Sequence, residues 1–337
     1  MPTGALAKQL LIGSGIALVV LLGVGFVVGA IGTAMFGREA PFLSKPEIHL
    51  PPQTIFPSST RDQQLGLLPD SSDSAGHADP AGSGESSENE AEAGHVEPIP
   101  VTQFTVTNTL LSAWFATVVL ILLFVAGALK KNLVPGRLQG LIEILVEGAY
   151  SSCRDVLGAE MARKTFPVIA TIFFFVLFNA WLSLLPFYQF LGFVHDGEIK
   201  AHLLRSAGTD LNMGLALALI SFVLVEYWGF RAHGAGYLKK FFALGNLLRL
   251  RPTGLIDAFV GFLELTSEFV RVISFTFRLF GNMTAGEILV VMVTFLVPFV
   301  ATQFVFGLEL LVGLIQSIIF AGLTLVFLSV AVSHQEH

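Results

Sequence analysis

Six stretches of this chain are apolar for longer than a soluble helix needs, and that property rules out most folds. Crossing a hydrocarbon core ~30 Å thick takes roughly 20 apolar residues of helix. The stretches run from about Leu10 to Phe36, Thr107 to Leu129, Phe166 to Phe193, Leu211 to Phe230, Leu255 to Leu296 and Ala301 to Val332. Lipid offers no hydrogen bonds to an open backbone, so segments of this kind are helices. The expected fold is an all-α integral membrane protein with about six membrane helices. Composition agrees: charged residues make up 13% of the chain, against about 25% in ordinary soluble domains. Mean hydropathy is +0.73.

The first stretch has two readings. Lys8 ahead of a hydrophobic run resembles a secretory leader, but the run is long for one, which favours a retained membrane helix. The chain divides into an N-terminal membrane helix (1–36), a polar linker (37–105) and a membrane core (106–337). The linker carries nine Asp or Glu and no Lys or Arg from Asp62 to Glu97. It is rich in Ser, Gly and Ala, cannot bury enough apolar surface to fold, and is expected to be disordered. His77 and His95 offer a metal trap or docking tail as the alternative to a solvated linker. The lone cysteine, Cys153, excludes a disulfide framework and a cysteine metal site.

Basic residues fall in alternate loops: Lys8, then Lys130, Lys131 and Arg137, then Arg163 and Lys164, then five between Arg231 and Arg251. With six crossings all of these lie on one side, which the positive-inside rule makes cytoplasmic. Both termini then lie in the cytoplasm and the acidic linker outside. Between the second and third stretches, Leu138, Ile142, Leu145 and Ala149 share a helical face opposite Glu143, Glu147 and Arg154. This predicts an amphipathic helix on the cytoplasmic surface. The last two stretches are too long for upright crossings and turn at Pro298, which predicts two long, tilted, antiparallel helices.

Ionisable groups inside apolar helices are costly and mark function by default. The fifth stretch carries Asp257, Glu264, Glu268, Arg271, Arg278, Asn282 and Glu287, and the sixth carries Glu309 and Gln316. Glu226 ends the fourth. By depth, Glu264, Glu268 and Arg271 fall in the inner half, Arg278 near the middle, and Glu287 and Glu309 in the outer half. No run of carboxylates crosses the whole membrane, which is the pattern of two offset half-channels. Desolvation adapts carboxylates to relaying protons, whereas a guanidinium keeps its proton. Arg278 would therefore separate the two relays. Three bland readings stand beside this one. Glu268 and Arg271, three residues apart, form a neutralised pair. Arg271 snorkels to the cytoplasmic surface. Gln316 is interhelical glue.

The string SFTFRLFGNMTAGEILV, Ser274 to Val290, closely resembles the signature of the F-type ATP synthase subunit a family. TNTLLSAWF (Thr107–Phe115), VPGRLQGLIE (Val134–Glu143), FPVIATIFFFVLFNAWLSLLP (Phe166–Pro186), TDLNMGLALALISF (Thr209–Phe222) and GLIQSIIFAGLTLVFLS (Gly313–Ser329) fit in order. The resemblance covers roughly residues 104 to 335. It implies a stator subunit of a rotary ATP synthase, with no catalytic site of its own. Protons pass through two half-channels and ride between them on a ring carboxylate. Position by position, Arg278 falls on the essential arginine facing the ring. Asn282, Glu287 and Gln316 fall on outer half-channel positions, with Asp210 at its entrance. Glu309 falls where many bacterial members have histidine, and its pairing with Glu287 is expected to alter the pH range. Glu264 and Glu268 are the candidates for the inner path. The implied partners are the ring of c subunits, the b subunits of the peripheral stalk, the soluble head indirectly, and the lipid bilayer of a bacterial plasma membrane. No nucleic acid, cofactor or metal is expected. The departure from the family is the extension before residue 104.

A secondary transporter is the competing class, but the internal repeats common there are absent from the sequence. No phosphate-binding GxxxxGK[ST] loop occurs, so nucleotide chemistry is excluded from this chain.

Overall fold

The computed structural model describes residues 3–36, 52–58, 61, 105–129, 136–195, 198–237 and 254–333. Seven helices occur among them, besides single turns: α1 (Thr3–Val28), α2 (Ala30–Phe36), α3 (Asn108–Leu129), α4 (Arg137–Ser183), α5 (Leu211–His233), α6 (Gly254–Leu296) and α7 (Val300–Ser333). Five are long and apolar enough to cross a membrane: α3, α4, α5, α6 and α7. The chain is thus an all-α, multi-pass membrane protein. The first expected crossing is represented by a shorter apolar helix, Gly13–Val28.

Glycines and small side chains set how closely these helices approach, as expected where lipid removes the hydrophobic drive between them. Gly214 of α5 lies against the Thr276 carbonyl of α6, and Gly313 of α7 lies against Ala180 of α4. The crossing of α5 and α7 adds a buried hydroxyl pair, Ser221 and Thr324, 2.7 Å apart. The core joins Ile172, Val176, Leu217, Phe275, Leu279 and Phe320 from α4 to α7. The Phe275 and Phe320 rings lie 4.8 Å apart, tying α6 to α7.

α6 is unbroken over 43 residues and α7 over 34. At 1.5 Å per residue α6 is about 65 Å long, roughly twice the hydrocarbon core, so it cannot stand upright within it. Pro298 lies in the turn between them, where Phe299 takes a left-handed φ of 73°.

The expected surface helix is distinct from the span that follows it: within α4, Gly158 takes a non-helical backbone, with a φ of 76° that favours glycine, and parts the segment that starts at Arg137 from the membrane span. Of the surface helix's expected apolar face, Ile142 is buried, Ala149 half-buried and Leu145 exposed, and the Leu138 side chain lies outside the described residues. Gly127 of α3 meets Ile142.

Within the linker, Thr54–Phe56 pairs antiparallel with Val106–Thr107. Asn108 anchors the pairing: its backbone N donates to the Gln53 carbonyl at 3.0 Å, and its side-chain oxygen accepts from the Gln53 backbone N at 3.2 Å. The acidic stretch from Asp62 to Glu97, with His77 and His95, lies outside the described residues. So do Lys130, Lys131 and the basic loop of residues 238–253. A second hairpin, Gly192–His195 with Glu198–His202, precedes α5.

Candidate functional site

The site is built on α6. Helical rise places Glu268 about 15 Å to one side of Arg278 and Glu287 about 14 Å to the other. Arg278 is half-buried. Its Nη2 donates to Ser274 Oγ at 3.2 Å, and its guanidinium lies 5.5 Å from the centre of the Phe275 ring. Among the described residues no carboxylate pairs with it. The surrounding side of α6 is open: Val270, Ile273, Ser274, Phe277, Asn282 and Leu289 are exposed. Apart from Ser274 and Asn282 these are apolar.

One turn further along, the Asn282 side-chain amide donates to Gln316 Oε1 of α7 at 2.8 Å. Gln316 is 1% exposed, and its Nε2 meets no hydrogen-bond partner among the described residues. The expected interhelical contact of Gln316 is therefore present, and it leaves a buried donor over.

Glu287 and Glu309 have different surroundings. Glu287 is held by Arg205, from the stretch before α5: Nε lies 3.0 and 3.1 Å from the two carboxylate oxygens, and Nη2 lies 3.0 Å from Oε2. Glu309, on α7, lies against Gly286, where an added Cβ would overlap its carboxylate. Glu309 is half-buried and has no hydrogen-bond or ion-pair partner among the described residues.

Asp210 is the N-cap of α5. Its Oδ1 accepts from the Asn212 backbone N at 2.9 Å, and its Oδ2 accepts from the Thr109 hydroxyl of α3 at 2.9 Å. Asp210→Ala removes both bonds and is expected to cost about 1–2 kcal/mol. A lowered unfolding temperature of the purified subunit checks this.

Toward the other end, Glu268 is 4% exposed and faces Arg271 at 2.7 Å. Arg271 also lies 3.9 Å from the centre of the Phe327 ring of α7. The paired reading of these two residues holds, and Arg271 does not snorkel. The Tyr237 hydroxyl, past the end of α5, lies 3.5 Å from Glu226 Oε1. Burial pushes the Tyr237 hydroxyl well above its ordinary range, and the Glu226 and Glu268 carboxylates push it further, so it stays protonated. His233 stacks on Tyr237 and reaches the Ala331 carbonyl at 3.0 Å. Glu264 is half-buried one turn before Glu268. The Asp257 side chain lies outside the described residues.

Sequence reasoning missed Arg205 and Tyr237. Arg205 carried a signal: it is an arginine on the side of the membrane where the charge bias disfavours one. Tyr237 carried none, since its role depends on how the chain folds back after α5.

No group of three or more His, Cys, Asp or Glu suited to a metal ion occurs among the described residues. The ATP synthase A chain family matches over residues 110–329. An ATP synthase subunit a of Gloeobacter violaceus is 35% identical over 231 residues, covering 68% of this chain and 86% of the relative. One from a Sulfurihydrogenibium species is 33% identical over 220 residues, covering 65% of this chain and 94% of the relative. One from Campylobacter concisus is 33% identical over 223 residues, covering 66% and 88%. The matched span takes in α4 to α7 and every charged or amide side chain placed around Arg278, so the chain belongs to the ATP synthase subunit a family.

Proposed function

We propose that this chain is the proton-translocating stator subunit of a rotary ATP synthase, with two offset half-channels separated by Arg278. The observation that carries the reading is Arg278 itself. It is a permanent cation with no carboxylate partner among the described residues, on the open apolar side of α6, between two sets of carboxylates. A guanidinium without a partner in an apolar span is costly. A carboxylate arriving on another subunit offsets that cost, and the guanidinium favours its ionised form. The exposed apolar side of α6 suits a ring of c subunits moving past it. The b subunits and the soluble head complete the assembly from outside this chain.

The outer path is lined by Asn282, Glu287, Glu309 and Gln316, with Asp210 at its mouth; the inner path is lined by Glu264 and Glu268. Protons enter along one, cross on the ring, and leave along the other. Arg278 blocks a direct route because it does not release its proton. With α1 as the sixth crossing, both termini face the cytoplasm of a bacterial cell and the chain lies in its plasma membrane. The stretch from residue 37 to 105 then forms an extracytoplasmic linker.

Cysteine accessibility tests the two-path reading. Cys153 is the only native cysteine and is buried, so a Cys153→Ala background is suitable. In assembled complex, Asn282→Cys and Glu287→Cys are expected to react with small water-borne thiol reagents applied from outside. Glu264→Cys is expected to react from the cytoplasmic side. Equal reaction of all three from both sides would indicate one continuous pore and would sink the proposal.

A further inference from the structure

Glu287 and Glu309 lie close together, one residue of α6 apart by way of Gly286, yet their surroundings are opposite. Three charge-assisted bonds join Glu287 to Arg205. The Arg205 side chain is 9% exposed and that of Glu287 is 37% exposed. The arginine is itself fixed, because its backbone N donates to Ser112 Oγ of α3 at 2.9 Å. One residue on, Ser206 is buried and its hydroxyl meets no partner among the described residues. The ion pair therefore clamps α3, the approach to α5 and α6 together. Glu309 has no such clamp, and glycine at 286 leaves room for its carboxylate.

The chemistry divides the two acids. Bidentate guanidinium–carboxylate bonds are the strongest of their kind, and they favour the ionised acid. Protonating Glu287 would weaken or break them. Among the described residues, Glu309 has no such bond for a proton to break. Resting on the two-path reading above, we infer that Arg205 is a positioning residue that holds Glu287 as a fixed anion. Glu309, not Glu287, is then the carboxylate that takes up and hands on protons in the outer path. The proton balance is simple. One proton from the outer water joins a Glu309 oxygen, and the same bond breaks when it passes to the ring carboxylate. Arg205 and Glu287 keep their charges throughout. The Glu287–Arg205 pair locks the geometry of the path.

The test uses the whole complex in inverted vesicles, with ATP-driven acidification as the readout and recovery of the other subunits as the check on assembly. Glu309→Gln cannot carry a proton and is expected to lower pumping more than about tenfold. Glu287→Gln keeps an oxygen acceptor for Arg205 and is expected to lower it clearly less than Glu309→Gln does. Arg205→Gln leaves the Glu287 carboxylate unpaired and lowers pumping. Arg205→Lys is expected to recover part of that loss. At equal recovery of the assembled complex, so that stability does not enter, the Arg205→Gln/Glu287→Gln double variant is expected to pump better than Arg205→Gln alone. Loss of pumping in Glu287→Gln as deep as in Glu309→Gln would make Glu287 a proton carrier and overturn the inference. So would a double variant no better than Arg205→Gln. Unimpaired pumping in both single glutamine variants would instead overturn the outer path, and with it this inference.

Discussion

Replacing Arg278 by alanine is expected to abolish ATP-driven acidification of inverted vesicles while the complex still assembles. The two halves of that expectation have separate grounds. Assembly should survive because Arg278 holds little in place: one bond to Ser274, at 3.2 Å, and a 5.5 Å approach to the Phe275 ring. It belongs to no ion pair among the described residues, so its removal leaves no buried charge behind. Pumping should fail because alanine can neither draw a proton from a passing carboxylate nor keep the two paths electrically apart. Passive proton leak after removal of the soluble head is expected to rise. Pumping near the unmodified level would rule Arg278 out as the separator, and the competing transporter class would return.

Arg271→Met is expected to have the opposite profile, a loss of folded protein first. Glu268 is 4% exposed and pairs with Arg271 at 2.7 Å. Breaking a buried pair by removing one partner costs about 3–5 kcal/mol. The stacking of Arg271 on Phe327 is lost as well, which loosens α6 from α7. The subunit is expected to fall in abundance in membranes and to unfold at lower temperature when purified. Adding Glu268→Gln to Arg271→Met should recover most of the loss, because the stranded charge goes too. An Arg271→Met subunit as stable and abundant as the unmodified one would show that Glu268 is neutralised by other groups.

The residues that were legible in the sequence are those whose cost is set locally. An arginine flanked by Phe277, Leu279 and Phe280 announces itself because lipid makes every charge expensive. The turn at Pro298 and the length of α6 also follow from a single stretch of chain. Partnerships across the fold were not legible. The family resemblance sets Glu287 beside Glu309 but says nothing of their partners, which are Arg205 for one and the close approach of Gly286 for the other. The surface helix was legible too, because apolar spacing over a short stretch is local, and it ends at Gly158, where the backbone leaves the helix. What periodicity does not report is the neighbour: Ile142 is buried where Gly127 of α3 meets it, while Leu145 stays exposed.

The docking of α1 carries a consequence for how the chain is made. Gly25 and Gly29 rest against the backbone at Pro298 and Leu296, so closely that a Cβ at either would overlap it. During synthesis the docking segment leaves the ribosome long before its seat exists. Until the α6–α7 turn has been made, α1 lacks that seat. Its exposed residues from Ile16 to Leu22 are apolar around the whole helix. A turn made late in synthesis is thus what gives the first helix its place.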